Sequence, residues 1–463
     1  MAQVIQTDHE AYRFEGGYPT PETVQRAYDD ADLIRAIHAY KFFYPTVEGL
    51  SIVKGSLSAG LSPNRVYGTM DTKPEQVGFT ANSDTPYAPI MLDLRAGPMV
   101  IEIPAEPVIG VAMDVNQRWL GDMGLPGPDA GKGGKHLLLP PGWEGEAPQG
   151  YFPLQSTTYR VIIVIRSVPF GGDLDKAMRL LPTVQIYPLE HVEGWIEPTW
   201  IEMNKPLDMT PLAWETNLEY WRELHEVIDT EPPIDEWRAM YGDLAALGIA
   251  KGKPFAPDER MTHILEEAAR IANGQLRVKS LADRRPDRVA WEGSRWEWAA
   301  LRQNPEFAAE GYVDVDAREK WFFQAVGVSP VMMRRDVRGR SVYWLGTRDA
   351  SGTYLDGGRS YRLRVPLPVP AKLFWSVTVY DAETRSEIQT DQDKAALRSL
   401  FELSNIDQGE PVELYFGPAP AGGEGRWIKT IPGKGWFVYF RIYGPKQPAF
   451  DGSWRLPDFE EVK

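Results

Sequence analysis

Residues 436–443, Trp-Phe-Val-Tyr-Phe-Arg-Ile-Tyr, constrain the fold more than any other stretch of the chain. Successive side chains of a strand point to opposite faces, so Trp436, Val438, Phe440 and Ile442 form a purely apolar face. Phe437, Tyr439, Arg441 and Tyr443 form the other. Residues 374–380 repeat the device, with Trp375, Val377 and Val379 pointing one way and Phe374, Ser376, Thr378 and Tyr380 the other. Each strand needs cover on its apolar face and carries rings with Tyr or Arg on its back. That pattern predicts a sandwich or jelly roll after about Gly327, with a polar-aromatic concavity on its outer side.

Upstream, from about Pro63 to Pro188, clusters of Gly, Pro and Asn separate short runs such as Met99–Ile103 and Tyr159–Arg166. This is the signature of a β-sandwich. In the second run Tyr159, Val161, Ile163 and Ile165 share a face. Arg160 and Arg166 fall on the other, with Ile162 and Val164 between them, so the strand is expected to be covered on both sides. Between about Leu207 and Gln324 the period becomes 3.6. Leu218, Trp221, Leu224 and Ile228 form one stripe and Trp237, Tyr241, Leu244 and Leu247 another, ending at Gly248, where a left-handed cap is expected. Asp258 is placed to cap a third helix. Thr20-Pro21-Glu22 starts a helix at the N-terminus. The expected division is a helical segment over 1–60, a β-sandwich over 61–205, a helical module over 206–325 and a second sandwich over 326–463.

Composition narrows the chemistry. The 463 residues hold no cysteine, which removes disulfides, thiolate zinc sites, iron–sulfur clusters and thiol catalysis. A formal charge of −15 with no basic stripe argues against nucleic acid. No run of about 18 apolar residues predicts a membrane span. The first residues lack the pattern of a leader, so the chain as written reads as cytoplasmic, or periplasmic if a leader was removed. His9, His38, His136, His191, His225 and His263 never pair at metal-ligand spacing. No nucleophile elbow, zincin, phosphate-loop or dinucleotide motif occurs.

Four constellations carry possible chemistry. Asn82-Ser83-Asp84-Thr85-Pro86-Tyr87 offers Asp84 as general base or hard-cation ligand with Asn82 as orienter, or else an Asx-turn. Gly131-Lys132-Gly133-Gly134-Lys135 reads as an anion nest or as a plain β-turn ahead of a strand. Asp349 and Asp356, with Tyr354 between them, can divide acid and base roles or hold Ca²⁺, or can form hairpin turns. Trp427, Trp436 and Trp454 beside Arg441 and Arg455 are a stacking platform or core.

The motifs Gly352-Thr-Tyr-Leu-Asp356-Gly-Gly, Phe374–Asp381 with Thr384-Arg385, Leu414-Tyr-Phe-Gly-Pro418, Pro432-Gly-Lys-Gly-Trp436 and Ser453-Trp-Arg-Leu-Pro457 closely resemble a bacterial and giant-virus family. Its paired domains of unknown function are numbered 1254, N-terminal, and 1214, C-terminal. Asn82–Tyr87 and Gly131–Lys135 join the resemblance, which covers nearly everything after about residue 45. It implies a mostly β fold with a helical insert, an N-terminal immunoglobulin-like β-sandwich and a C-terminal jelly-roll-like β-sandwich. Many relatives look exported, often as lipoproteins, and this sequence departs from them in showing neither leader nor lipobox cysteine.

The expected function is a hydrolase acting on a small organic or phosphorylated molecule. Asp84, Asp349, Asp356 and Arg385 are its expected catalytic groups. Asn82, Thr85, Tyr87, Lys132, Lys135, Tyr354, Tyr380, Trp427 and Arg441 are its expected substrate contacts, gathered at a cleft between the sandwiches. No cofactor is required by the sequence, with Ca²⁺ or Mg²⁺ as an option. The alternative is a non-catalytic carbohydrate-binding or assembly protein that exposes tryptophans. A homo-oligomer is expected in either case.

Overall fold

The computed structural model describes residues 3–6, 11–190, 192–203, 207–208, 211–406, 409–422 and 425–462. His9 and His191 lie outside them. The chain forms two compact units, one from Met1–Val47 and Leu212–Val278, the other from Glu48–Pro211 and Lys279–Lys463.

The first unit is built on helices. Helix α1 (Pro21–Ser58) belongs to it as far as Val47, followed by α2 (Glu219–Thr230), α3 (Arg238–Ala246) and most of α4 (Glu259–Leu281). The Thr20 hydroxyl accepts the Thr23 N–H at 3.3 Å, and Asp258 accepts the Met261 N–H at 2.7 Å, so both predicted caps form. Gly248, at φ +82°, closes α3 as expected. The core is aromatic: the Tyr40 ring stacks on Tyr220 at 3.9 Å, and the Trp221 indole donates to the Leu265 carbonyl at 2.8 Å. Each ring thereby buries its apolar body and satisfies its polar tip. The helical module thus draws on both ends of the first two hundred and more residues.

The second unit holds both sandwiches. In the N-terminal one, β1 (Tyr87–Asp93), β2 (Met99–Ile103), β3 (Val108–Asp114), β4 (Trp119–Gly124), β5 (Gly134–Leu139), β6 (Tyr151–Gln155), β7 (Arg160–Ser167) and β8 (Gln185–Pro188) make two four-stranded sheets. Their orders are β6-β5-β2-β8 and β1-β7-β3-β4, antiparallel except for β5 with β6. Ile90, Leu92, Ile101, Val161, Ile163 and Ile165 meet between them. The outer side of β7 is covered too: Ile162 packs with Met91, Met113, Ile52 and Val53, the last two from the end of α1.

The C-terminal sandwich comprises β9 (Glu297–Trp298), β10 (Ser341–Gly346), β11 (Ser360–Val365), β12 (Ala371–Asp381), β13 (Ala396–Arg398), β14 (Val412–Gly417), β15 (Trp427–Lys429), β16 (Trp436–Pro445) and β17 (Glu460–Val462). Its five-stranded sheet runs β9-β10-β16-β12-β13 and its four-stranded sheet β15-β14-β11-β17. Trp375, Val377, Val379, Val438, Phe440 and Ile442 fill the space between, as the alternation predicts. This sandwich begins before residue 326. Trp291 and Trp296 are in its core and β9 edges its sheet, so the helical module stops short of the expected 325. Short helices α5 (Val315–Phe322) and α6 (Pro330–Met333) intervene between β9 and β10.

Candidate functional site

The registers dictate what faces the back of the five-stranded sheet. Arg441 on β16 lies between Tyr343 on β10 and Ser376 on β12, while Tyr443 lies between Ser341 and Phe374. On the N-terminal sandwich, Arg166 of β7 lies between Tyr87 of β1 and Ile109 of β3. Within this unit the two outer faces enclose a cavity of about 400 Å³. Its walls are mostly apolar, drawn from Ile109, Val111, Met113, Val164, Ala325 and Val328 among others. Arg166, Arg441, Asn82, Tyr87, Tyr439 and Tyr443 gather on the wall as its polar part.

Hydrogen bonds and rings fix the two guanidinium groups. Arg166 donates from Nε to Thr85 Oγ1 at 2.8 Å and from Nη2 to Asn82 Oδ1 at 3.0 Å and Tyr443 Oη at 3.3 Å. It also lies 5.0 Å over the Tyr87 ring. Arg441 donates from Nη1 to Tyr380 Oη at 2.6 Å and from Nη2 to the Thr80 carbonyl at 2.8 Å, over the Tyr439 ring at 4.9 Å. Among the described residues neither arginine has a carboxylate oxygen within 4 Å. Arg441 is buried and Arg166 half-buried, and their hydrogen bonds go to neutral groups, with the Asp84 carboxyl acting on both from beyond 4 Å, so a ligand anion would add direct ion pairing at this wall. The buried Tyr439 hydroxyl makes no hydrogen bond to the described residues, and at the rim the exposed Arg340 lines the cavity.

Three buried carboxyls stand near this wall. Asp84, 1% exposed, accepts from Ser376 at 2.8 Å, and burial raises its pKa against the pull of Arg441, that hydrogen bond, Arg166 and Arg398. Glu387 accepts from Ser83 at 2.8 Å and is pushed up to about 7 by burial, opposed by the Ser83 bond, Arg441 and Arg398. Asp122 lines the cavity, accepts from Ser329 at 2.9 Å and is raised by burial to about 6. Among the described residues no three His, Cys, Asp or Glu side chains gather as a metal site.

Residues 64–188 match the model described as protein of unknown function DUF1254, and residues 340–447 match protein of unknown function DUF1214. The chain carries both modules of this paired family. No curated protein matches it. Among solved structures, the VPA0106 protein of Vibrio parahaemolyticus is similar in fold, with a TM-score of 0.58 at 18% identity, over 93% of this chain and all of that one. An uncharacterized protein of Burkholderia cenocepacia aligns with a TM-score of 0.41 at 11% identity, over 95% of this chain and 97% of that one. Arg166, Asn82 and Tyr87 belong to the DUF1254 module, and Arg441, Tyr439 and Tyr443 to the DUF1214 module.

The residues expected from sequence divide accordingly. Asn82, Tyr87 and Arg441 line the cavity, Thr85 supports Arg166, and Tyr380 supports Arg441. Asp84 sits behind the wall, in a loop that the DUF1214 module grips: Arg398 donates to the Ser83 carbonyl at 2.5 Å, Tyr380 to the Ala81 carbonyl at 2.6 Å. Asn82 Oδ1 also takes the Asp84 N–H at 3.0 Å, so the Asx-turn and a positioning role coexist. Arg385 is buried between the Phe79 and Phe323 rings, and its carbonyl accepts the Thr80 N–H at 2.9 Å.

Other expected contacts are not brought there. Asp349 accepts the Thr353 N–H at 3.0 Å and Asp356 the Gly358 N–H at 2.8 Å, each holding a turn. Asp356 bridges to Gly435, beyond the start of β16 and six residues from Arg441, about 20 Å along the strand direction. Tyr354 is 46% exposed beneath Arg348. Lys132 is exposed, and Lys135 pairs with Glu102 at 3.8 Å on β5, ahead of which Asp129 and positive-φ Gly131 and Gly133 form turns. Trp427, on edge strand β15, donates to the Gly417 carbonyl of β14 at 3.0 Å. None of the sixteen tryptophans is exposed, because they supply core instead of a platform. The cleft therefore lacks the converging loops of Lys132, Lys135, Asp349 and Asp356.

Arg166, Tyr443, Asp122 and Glu387 were not among the expected site residues. Arg166 had a signal: a charge closing the second face of a strand whose neighbours on that face are Ile162 and Val164. Glu387 yields a test. Its carboxyl is raised from 4.5 to about 7, so its contribution to stability is full below about pH 4.5 and is lost as pH rises through about 7. Glu387→Gln is expected to flatten the fall in unfolding free energy, measured by urea denaturation between about pH 4.5 and 7, by at most about 3 kcal/mol. An unchanged pH slope would refute it.

Proposed function

We propose that the cleft binds a small organic anion with an apolar body. The observation that carries this reading is the pair Arg166 and Arg441: the first half-buried and the second buried, both hydrogen-bonded to neutral groups and set in the wall of an otherwise apolar cavity. An apolar pocket with a few convergent polar groups is the usual form of a small-molecule site, and planar guanidinium groups suit carboxylate or phosphate.

Titration calorimetry and thermal shift with octanoate, octanol and inorganic phosphate test it. Octanoate is expected to bind at least about tenfold more tightly than either fragment and to raise the melting temperature. Equal binding of octanol, or none by octanoate, would overturn the reading.

Hydrolysis of an ester or phosphoester remains a second reading, favoured by one observation. Asp122 places a carboxylate in the same cavity with a pKa of about 6, near the range of a general base. Release of nitrophenol from nitrophenyl octanoate, abolished in Asp122→Asn, is its expected signature.

A further inference from the structure

Asp122 marks a second pole of the cavity. Its Oδ2 accepts the Ser329 hydroxyl at 2.9 Å, and the Trp119 indole beside it also favours the ionised form against the larger effect of burial. The residue is 7% exposed and lines the cavity, as does Ser329. Ser329 is itself held, since its Oγ also accepts the Val331 N–H at 3.3 Å at the start of α6. The carboxyl is thus aimed by both β4 and α6.

Register gives its distance from the arginines. Asp122 lies opposite Val111, and Val111 opposite Val164, so Asp122 and Arg166 are two strands apart and two residues offset. Strand spacing makes that about 12 Å between Cα atoms. Val111 and Val164 form the floor between them, and both line the cavity. An apolar body that reaches from one pole to the other meets a hydrogen-bond acceptor at its far end. A buried carboxyl raised to about 6 is ionised near neutral pH only at a desolvation cost, which a donor from the ligand offsets.

We infer that the ligand is bipolar: a medium-length organic acid whose anionic end meets Arg166 and Arg441 and whose other end carries a hydroxyl or ammonium donor for Asp122. This rests on the anion-binding reading above. It adds a length and a second functional group, neither of which the arginines specify.

The test is calorimetry at about pH 8 with the straight-chain acids from hexanoate to decanoate and the same acids hydroxylated at the terminal carbon. At one chain length the hydroxyl is expected to tighten binding about tenfold, with smaller gains at shorter and longer lengths. Asp122→Ala is expected to erase that gain, read within the variant as the ratio of hydroxylated to plain acid at the same chain length. A hydroxyl gain that is absent, that is equal at every length, or that survives in Asp122→Ala overturns the inference and leaves anion binding standing. Failure of every plain acid to bind overturns both. Should Asp122→Ala not fold, the wild-type length series decides the matter alone.

Discussion

Replacing Arg441 by Met is expected to abolish octanoate binding, a loss of about a hundredfold or more, and to lower the melting temperature of the free protein as well. Both effects follow from what the guanidinium touches. Nη1 donates to Tyr380 and Nη2 to the Thr80 carbonyl, and the cation lies among the Tyr343, Tyr380 and Tyr439 rings. Met fills much of the same volume but leaves the Thr80 carbonyl without that donor, costing about 1–3 kcal/mol. Arg441→Lys separates the two consequences. It keeps the charge, yet an ammonium cannot reproduce a planar fork reaching two acceptors while facing a third. The lysine variant is therefore expected to retain octanoate binding weakened about tenfold. Calorimetry on all three proteins decides: if the methionine variant binds octanoate as wild type does, Arg441 is structural and the anion site is misplaced.

Gly49→Ala is expected to be among the most destabilising single-methyl additions available in this chain. A Cβ there would lie 2.0 Å from the Val115 carbonyl oxygen, a backbone atom that cannot swing aside. The tail of α1 crosses the β3–β4 turn at this point. Glu48 accepts from the Gln117 side chain at 2.7 Å, and Gln117 in turn accepts the Gly327 N–H at 2.7 Å. Pushing the helix away strains this chain of bonds and the packing of Ile52 and Val53 on Met91, Met113 and Ile162. A cost of more than about 3 kcal/mol is expected, with weakened ligand binding because Ile52 and Gly327 both line the cavity. Gly242→Ala is the control. It lies within α3 with open space around it, and alanine there is expected to be neutral or stabilising by up to about 1 kcal/mol. Urea midpoints for the pair measure the contrast, and equal midpoints would refute the close approach at Gly49.

Strands were legible in the sequence where alternation is strict. Trp436–Tyr443 and Phe374–Tyr380 each have a face that must be core, and their period leaves Arg441 and Tyr380 on the back. The site was harder to read because its halves are far apart in sequence. Arg166 meets Tyr443 and Asn82 only when two sandwiches are in place, and nothing local to residues 160–167 says what covers the second face. Of the Asn82–Tyr87 segment, Asn82 and Tyr87 line the cavity, while its buried acid, Asp84, accepts from Ser376 and helps to clamp the loop. The chemistry assigned to Asp349, Asp356, Lys132 and Lys135 was lost for a general reason: Asp, Gly and hydroxyl residues are what turns need as well as what catalysis uses. Tryptophan count is ambiguous for a similar reason, since two sandwich cores and a helical unit leave all sixteen rings buried or half-buried.

The helical unit is discontinuous, made from the first 47 residues and from Leu212–Val278. Its consequence is one of timing during synthesis. The strands of the N-terminal sandwich have all emerged by Pro188, so that module can close while the leading helix still lacks its partners. Tyr40 and Tyr44 must then wait, exposed, for Glu215 and Tyr220 to leave the ribosome. At about 5–20 residues per second that interval is seconds long, and it makes the nascent N-terminal helix the segment most open to chaperones or to misassembly with another chain.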